Sequence, residues 1–257
     1  MPLFQCTLLL ITLCATAVTE PSPTTAPSGA ATLSHTSWND LLQKNVKDGL
    51  VNYANFAGSD RPALAAYLDS VAAVDVASLS RPEQLALYLN LYNAGMIAAV
   101  ADRYTPEYSV VEGKMKIFSE PLIRLGGETI TLDKLEHELI RKGFGDARVH
   151  AAMVCAGLSC PPLPSVAFEG NTVDAQLDAC MKHWLTDPRH TRIDVEARRV
   201  TLSKIFRWYA KDFGGPDTLP ALVNKYTGTD VSGFEIGFFQ YDWRLNDLSP
   251  AGRPGAR

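Results

Sequence analysis

The feature that most constrains the fold of this chain is a long apolar run that follows Ser80. Ser80-Arg-Pro-Glu83 supplies an N-cap residue, a proline in the first turn and a capping-box carboxylate, which together are typical of a helix start. The run that follows, QLALYLNLYNAGMIAAVADRY, has apolar residues around nearly its whole circumference. A helix that is apolar on all sides is buried. The sequence therefore predicts a central helix with the rest of the domain packed around it.

Two asparagines, Asn90 and Asn93, lie inside this predicted helix. Residues three apart share one face of a helix, so the two amides are neighbours. An unpaired buried amide costs on the order of 1 to 3 kcal/mol. We therefore expect both side chains to have fixed partners, either in the chain or in a ligand, and we regard both as candidate binding residues.

The remaining patterns predict an α+β fold, in which a helix-rich single domain carries a small antiparallel sheet. Gly126-Gly127 joins two β-prone runs into one hairpin, and residues 192–202 form a second. Residues 233–246 are predicted to be extended. Neither an internal repeat nor an interior linker is visible, so we assign one domain to residues 34–247. Further helices are predicted over residues 34–47, 61–73, 132–143, 173–185, 204–213 and 220–226.

The composition is that of a globular protein. The chain has 257 residues, of which 46% are hydrophobic and 20% charged, enough for a sizeable core. The formal net charge of -4 supplies no broad positive field, which disfavours a nucleic acid or an anionic membrane surface as the main partner. We expect a small-molecule or peptide ligand of unknown identity as the partner.

The N-terminal residues have the form of a secretory signal. Residues 3–17 form an apolar run, too short to span a membrane comfortably, that ends in the small-x-small pattern of Ala15-Thr16-Ala17. We predict a signal peptide over residues 1–17, export to the periplasm or the medium, and no integral membrane span after its removal. An uncleaved anchor is the alternative, because the run is preceded by neither Lys nor Arg. Residues 18–33 are predicted to be a disordered tether and residues 248–257 a flexible tail.

The segment in which chemistry is expected is RVHAAMVCAGLSCPPL, from Arg148 to Leu163. It holds His150, Cys155 and Cys160. Signal removal would leave three of the five cysteines in an oxidising compartment, and the third, Cys180, lies on an apolar helical stripe that predicts a core position. The small residues beside Cys155 and the proline after Cys160 are compatible with two structures. One is a rigid backbone that fixes a partly exposed sulfur in place, and the other is a tight structural turn.

Three chemistries fit these residues. The first is a thiol nucleophile, which needs a nearby imidazole and a group that orients the imidazole. The second is a Cys155–Cys160 disulfide, structural or redox-active. The third is zinc binding, although neither CxxC nor HxxxH spacing is present, and we assign neither a metal nor a cofactor. Candidate bases are His150 and His137, candidate orienting groups are Glu83, Glu136, Asn90 and Asn93, and the zinc set would be His137, His150, Cys155 and Cys160.

Six stretches, in order and at ordinary separations, resemble a known family, the domain of unknown function 547 family. They extend over nearly all of Trp38 to Asn246. The departures are Ala151, where the family has an aromatic residue, and Val154, where it often has an asparagine. The stretches are WNDLLQKNVKDGLVNY (38–53), EQLALYLNLYNA (83–94), LDKLEHELIR (132–141), ARVHAAMVCAGLSCPPL (147–163), LSKIFRWYAKDF (202–213) and YDWRLN (241–246).

The resemblance implies a fold similar to papain-like or transglutaminase-like thiol hydrolases, with a Cys and His pair and an acidic residue that orients the imidazole. Carried over to matching positions, it selects Cys155 or Cys160 as nucleophile, His150 as base and Glu83 as the orienting carboxylate. Our leading hypothesis is a thiol-dependent acyl hydrolase or transferase, such as a cysteine peptidase, with backbone amides near Gly157 to Cys160 receiving the oxyanion. The alternative is a non-enzymatic binding or scaffold module in which a Cys155–Cys160 disulfide braces a ligand groove.

Overall fold

The part of the chain that the computed structural model describes comprises residues 33–111 and 114–249. The predicted signal peptide and most of the predicted tether and tail lie outside it. The helices are α1 (Thr36–Asn45), α2 (Tyr53–Ala57), α3 (Arg61–Ala72), α4 (Arg81–Ala101), α5 (Lys116–Ser119), α6 (Leu132–Lys134), α7 (Val173–Thr186), α8 (Ile205–Trp208) and α9 (Leu219–Thr227). A π-helical segment, Leu135–Lys142, continues α6, and short 3-10 turns occur at Val76–Ser78, Ala147–Ala151 and Pro216–Thr218.

The strands are short and form three separate sheets. The first two sheets are antiparallel hairpins, and the third has the order β5-β6-β7. Within it β5 and β6 are antiparallel, whereas β6 and β7 run parallel, a pairing that the sequence did not predict. The helix-rich α+β class with small antiparallel sheets is confirmed. The strands are β1 (Val46–Lys47), β2 (Leu50–Val51), β3 (Pro121–Leu125), β4 (Glu128–Thr131), β5 (Thr191–Asp194), β6 (Arg199–Leu202) and β7 (Glu235–Phe238).

The long helix α4 is the centre of the larger hydrophobic cluster, as its sequence predicts. A capping box starts it, with the Ser80 amide donating to the Glu83 carboxylate at 2.8 Å. Leu87 and Leu89, which lie on nearly opposite sides of the helix, are both almost fully buried. Within the ranges 33–111 and 114–249, no helix combines the length and hydropathy needed to cross a membrane.

A second, smaller cluster forms around α7, β6, α8 and α9. Trp184 of α7 stacks on Phe206 of α8 with ring centroids 4.2 Å apart. The 3-10 turn Ala147–Ala151 belongs to both clusters, because Val149 packs in the larger one and Ala151 in the smaller. The segment predicted to carry chemistry therefore starts where the two clusters meet.

The predicted helix over residues 132–143 is present, and Leu135–Lys142 within it is π-helical. Residues four apart lie on one face of this segment, as they do in an α-helix. Leu132, Glu136 and Ile140 consequently share the buried side. Glu136, one of the candidate orienting groups, is only 9% exposed.

His35, just before α1, makes the fold sensitive to acid. Its Nδ1 lies 2.8 Å from the Tyr67 hydroxyl, and burial lowers the pKa of the imidazole to about 4. In the unfolded chain the His35 imidazole takes up a proton below its usual pKa of about 6.5. In the folded protein the same imidazole stays neutral until the pH falls to about 4. Stability from His35 is therefore fully present above pH 6.5 and declines as the pH falls. We expect its share of the loss in unfolding free energy between pH 7 and pH 5 to be about 2 kcal/mol.

Urea unfolding of the wild type and of His35→Gln at the two pH values measures this share. Glutamine keeps a polar partner for Tyr67 and does not titrate. The variant should lose about 2 kcal/mol less than the wild type between pH 7 and pH 5, even if it is less stable at pH 7. Equal losses in the two proteins would show that His35 is not the cause.

Candidate functional site

The two asparagines of α4 fix the backbone around the cysteine segment. Asn93 donates from Nδ2 to the Ala152 carbonyl at 2.8 Å, and its Oδ1 accepts from the Val154 amide at 3.0 Å. Asn90 makes the same pair of hydrogen bonds to Phe168: its Nδ2 donates to the Phe168 carbonyl at 2.8 Å, and its Oδ1 accepts from the Phe168 amide at 2.9 Å. Both amides thus have the fixed partners that burial requires, and these partners are backbone groups. Asn93 in particular holds the residue immediately before Cys155.

Cys155 and Cys160 are joined by a disulfide bond. The two sulfurs have different surroundings. Cys160 is 3% exposed, and its Sγ lies 3.1 Å from the Cys155 amide and 3.2 Å from the Gly157 amide, both of which donate to it. Cys155 is only partly buried. Ala156 between them has a φ of 67°, a left-handed conformation uncommon for a residue with a Cβ, and it turns the chain so that both amides reach Cys160.

Tyr241 contacts both sulfurs from the C-terminal part of the chain. Its hydroxyl oxygen is 3.1 Å from Cys155 Sγ and 3.4 Å from Cys160 Sγ. Burial raises the pKa of the Tyr241 phenol, so the group stays protonated and can donate a hydrogen bond. The ring lies against Trp208 and Trp243, with centroids 4.8 and 4.4 Å away.

His150 is held by a carboxylate that the sequence reasoning missed. Its Nε2 lies 2.7 Å from Asp212 Oδ2, and its ring packs on Tyr209 with centroids 4.2 Å apart. Arg141 donates to both oxygens of Asp212, at 2.8 and 3.1 Å. The hydrogen bond from Arg141, together with that from His150, holds the pKa of the Asp212 carboxyl below its usual range.

This arrangement fixes the tautomer of the imidazole. An ionised Asp212 only accepts hydrogen bonds, so Nε2 of His150 carries the proton and Nδ1 is the basic atom. Nδ1 makes no hydrogen bond within the described residues. Burial lowers the pKa of His150, and the bond to Asp212 opposes this effect without cancelling it. A neutral imidazole with one free basic nitrogen is the form that accepts protons at neutral pH.

A cavity of about 280 Å³, which we call the aromatic pocket, brings these groups together. Cys155, His150 and Tyr241 line it, as do two predicted candidates, Glu136 and His137. The remaining lining residues are Tyr92, Met115, Phe118, Asp133, Met153, Ile205, Trp208, Tyr209 and Trp243.

Glu136 and His137 lie next to each other in this pocket, with His137 Nδ1 3.6 Å from Glu136 Oε1, but they make different hydrogen bonds. Glu136 accepts hydrogen bonds from the Tyr92 and Tyr209 hydroxyls, each at 3.0 Å. His137 Nδ1 lies 2.7 Å from an Arg141 nitrogen, which always donates, so His137 accepts there. A ring nitrogen that accepts from Arg141 is occupied, so His150 is the better placed base.

The carboxylate that contacts His150 is Asp212 and not the predicted Glu83. Glu83 lies at the exposed start of α4, where its Oε2 accepts from the Ser80 amide and hydroxyl at 2.8 and 2.5 Å. The same capping bonds lower the pKa of its carboxyl. Glu83 is neither a partner of His150 nor a lining residue of the aromatic pocket. The local signal that predicted its position, the capping box, also explains why it is not free to act elsewhere.

Neither the predicted oxyanion site nor the predicted zinc site has its groups free to bind. The amides from Gly157 to Cys160 already donate to Cys160 Sγ and to the carbonyls of Arg244, Asp242 and Gly157. The disulfide joins the two sulfurs that zinc would need. In the described ranges, no group of three or more His, Cys, Asp or Glu side chains is placed to hold a metal ion.

Residues missed at the sequence level are Asp212, Arg141 and Tyr241. Asp212 and Tyr241 lie in two of the stretches that resemble the family, LSKIFRWYAKDF and YDWRLN. The sequence therefore marked both stretches, but it did not show which residues Asp212 and Tyr241 contact. Neither spacing nor periodicity could indicate that Asp212 meets His150, 62 residues earlier. Cys180, predicted as core, is a half-buried free thiol whose pKa burial raises to about 12.

A family model described as protein of unknown function, DUF547, matches residues 76–185. This match supports the resemblance to that family over residues 76–185. The matched DUF547 stretch includes His150, Glu136 and both bridged cysteines, whereas Asp212 and Tyr241 lie beyond it. No significant match exists among curated proteins or solved structures. The similarity to papain-like or transglutaminase-like folds is not confirmed and stays a prediction.

Proposed function

We propose that this DUF547 domain is a thiol-dependent acyl hydrolase or acyltransferase that the structure captures in its disulfide form. One observation carries the proposal. His150, oriented by Asp212 through Nε2, and Cys155 line the same pocket. A nucleophile, a base and a group that orients the base are the three parts of a thiol catalytic site.

Between the two sulfurs, the proposal assigns the nucleophile to Cys155. Cys155 lines the aromatic pocket, whereas Cys160 is buried and surrounded by two amide donors. The disulfide must first be reduced by a dithiol or by two equivalents of a thiol. The attacking thiolate forms a mixed disulfide with Cys155, and Cys160 leaves as a thiolate that the Cys155 and Gly157 amides stabilise. A second thiolate then releases Cys155 and is itself oxidised.

The acyl-transfer step uses the freed Cys155. In the disulfide form no hydrogen bond joins its sulfur to His150 within the described residues, so reduction must let the side chain turn toward the imidazole. Nδ1 of His150 removes the thiol proton, and the sulfur attacks the acyl carbonyl with Tyr241 as a hydroxyl donor beside it. The leaving group takes the proton from His150. Water or another acceptor then cleaves the thioester and restores the thiol.

The test is hydrolysis of p-nitrophenyl acetate by the full chain before and after reduction with dithiothreitol. The oxidised protein should be inactive and the reduced protein should show a burst of p-nitrophenol from acylation of Cys155. Cys155→Ala should abolish the burst. Cys160→Ala should keep it and no longer need dithiothreitol. Asp212→Asn should lower the acylation rate by about a hundredfold or more, because the imidazole loses its fixed tautomer.

Glu83→Gln is the matched control for Asp212→Asn, because it also removes one carboxylate but lies away from the pocket. Its acylation rate should equal that of the parent. Cys180 provides an internal control for the accompanying alkylation with iodoacetamide, because its raised pKa keeps it unreactive. A burst that survives Cys155→Ala would overturn the assignment.

A non-enzymatic binding module is the second candidate, and the closed Cys155–Cys160 disulfide beside the aromatic pocket favours it. In this function the disulfide fixes the wall of a ligand site and no thiol is needed. The two candidates differ in what reduction does. Under the binding function, dithiothreitol would weaken ligand binding and would produce no burst with any acyl ester.

Export remains part of the proposal. A persistent disulfide is typical of the periplasm and the extracellular medium and rare in the cytosol, so the Cys155–Cys160 bond supports the predicted signal peptide. Expression of the full chain with a C-terminal reporter, followed by N-terminal sequencing of the product, tests it. Processing after Ala17 is the expected result, and an unprocessed chain retained in the cytosol would contradict it.

A further inference from the structure

From the lining of the aromatic pocket, we infer that it binds a cationic group on an apolar stem, such as a protonated primary amine or a lysine side chain. This inference rests on the proposed function, because it names the class of substrate that the same site takes. Three properties of the pocket support it: its carboxylates, its rings and the absence of Lys and Arg from its lining within the described residues.

The first property is a buried carboxylate at the wall of the pocket. Glu136 is 9% exposed and its hydrogen-bond partners are the neutral hydroxyls of Tyr92 and Tyr209. The guanidinium of Arg141 is nearby but is bound to Asp212 and His137. His137 Nδ1 lies 3.6 Å from Glu136 Oε1, beyond hydrogen-bond distance. Burial of a carboxylate whose hydrogen bonds come only from neutral hydroxyls costs free energy. A bound cation would offset that cost.

The second property is a set of three rings at the pocket. Trp208, Tyr241 and Trp243 lie within 4.4 to 6.0 Å of one another, and Trp208 is 47% exposed. Large exposed rings beside a cavity are typical of binding surfaces. Ring faces attract a cation with about 0.5 to 2 kcal/mol and also bury its apolar stem.

The third property is the charge of the lining. Asp133 and Glu136 line the aromatic pocket, and neither Lys nor Arg does so within the described part of the chain. Lys114 and Lys116 flank the lining residue Met115 in sequence, but both are exposed and neither lines the cavity. The pocket is therefore complementary to a cation and would repel a carboxylate or a phosphate.

The experiment compares two probes of similar size, benzylammonium and benzyl alcohol, that differ in charge. Binding to the oxidised full-length protein is followed by tryptophan fluorescence, so no thiol chemistry is needed. Benzylammonium should bind about tenfold more tightly than benzyl alcohol, and added salt should reduce this preference.

Glu136→Gln should lower the affinity for benzylammonium about tenfold and leave that for benzyl alcohol unchanged. Glu138→Gln is the matched control, since it removes an exposed carboxylate from the same helical segment that does not line the pocket. Trp208→Leu covers the case in which Glu136→Gln fails to fold. Trp208 is exposed enough to be replaced safely, and its loss should reduce the preference for the cation several-fold.

Equal affinities for the two probes in the wild type would overturn the inference. Binding of a neutral oligosaccharide without any preference for the cation would also overturn it, because the rings would then be stacking on sugar faces. Charge-selective binding without an ester burst after reduction would retain the cation site and reject the thiol hydrolase. A burst without charge-selective binding would retain the thiol hydrolase and reject the cation site.

Discussion

Gly49→Ala is expected to destabilise the protein by at least about 3 kcal/mol, far more than a single methyl group normally does. Gly49 has a φ of +79°, in the left-handed region. A Cβ there would lie 2.5 Å from Pro162 Cβ and 2.6 Å from Pro162 Cα. The chain cannot relieve this contact by rotating a side chain, because Pro162 is rigid and the contact includes its backbone. The strain of the left-handed conformation therefore adds to a clash with the segment that follows Cys160.

Thermal unfolding of Gly49→Ala and of Gly126→Ala distinguishes the clash with Pro162 from the strain of the left-handed backbone. Gly126 also has a positive φ, +57°, but a Cβ there would meet nothing within 4 Å. Gly126→Ala should therefore cost only about 1 kcal/mol, from backbone strain alone. At roughly 2 to 4 °C per kcal/mol for a domain of this size, the melting temperatures should differ by about 4 to 8 °C. Equal melting temperatures would show that Pro162 moves aside without cost.

The fold was predictable where the pattern is local. The capping box before α4, the Gly126-Gly127 turn and the apolar period of α7 each specify an element through neighbouring residues, and each element is present. The parallel pairing of β6 with β7 was not predictable, because the two strands are separated by 32 residues that include α8 and α9. Strand pairing across that distance depends on how the helices between them pack.

The candidate site was predictable only in part, for the same reason. His150 and the cysteines lie in one short segment, and their residue types alone indicated chemistry. Asp212 and Tyr241 reach that segment through tertiary packing, so no spacing in the sequence pointed to them. Glu83 was predicted to orient His150 because it matched the family pattern. Its carboxylate instead caps the start of α4 through Ser80, and this bond explains why an acidic residue stands there. The burial of Glu136 was not predictable, because Tyr92 and Tyr209 reach its carboxylate through tertiary packing.

Asn93→Leu is expected to cost about 4 kcal/mol in the free energy of unfolding. The substitution leaves the Ala152 carbonyl and the Val154 amide without their partners, and each buried unpaired group costs roughly 1 to 3 kcal/mol. Leucine is apolar and of comparable size, so lost packing adds little. Urea unfolding measures the change. A loss below about 1 kcal/mol would show that water reaches the two backbone groups and replaces the amide.

Asn90→Leu is the matched control, because it removes the same pair of bonds from Phe168 in the same helix. Its stability loss should be similar, but the two variants should differ at the thiols. Val154 precedes Cys155, so loss of its bond to Asn93 frees the backbone that aims the Cys155 sulfur at the aromatic pocket. If Cys155 is the nucleophile of the proposed function, Asn93→Leu should lower its acylation rate after reduction at least tenfold, whereas Asn90→Leu should leave that rate near the parent value. Equal rates in the two folded variants would mean that Asn93 stabilises the domain without positioning the nucleophile.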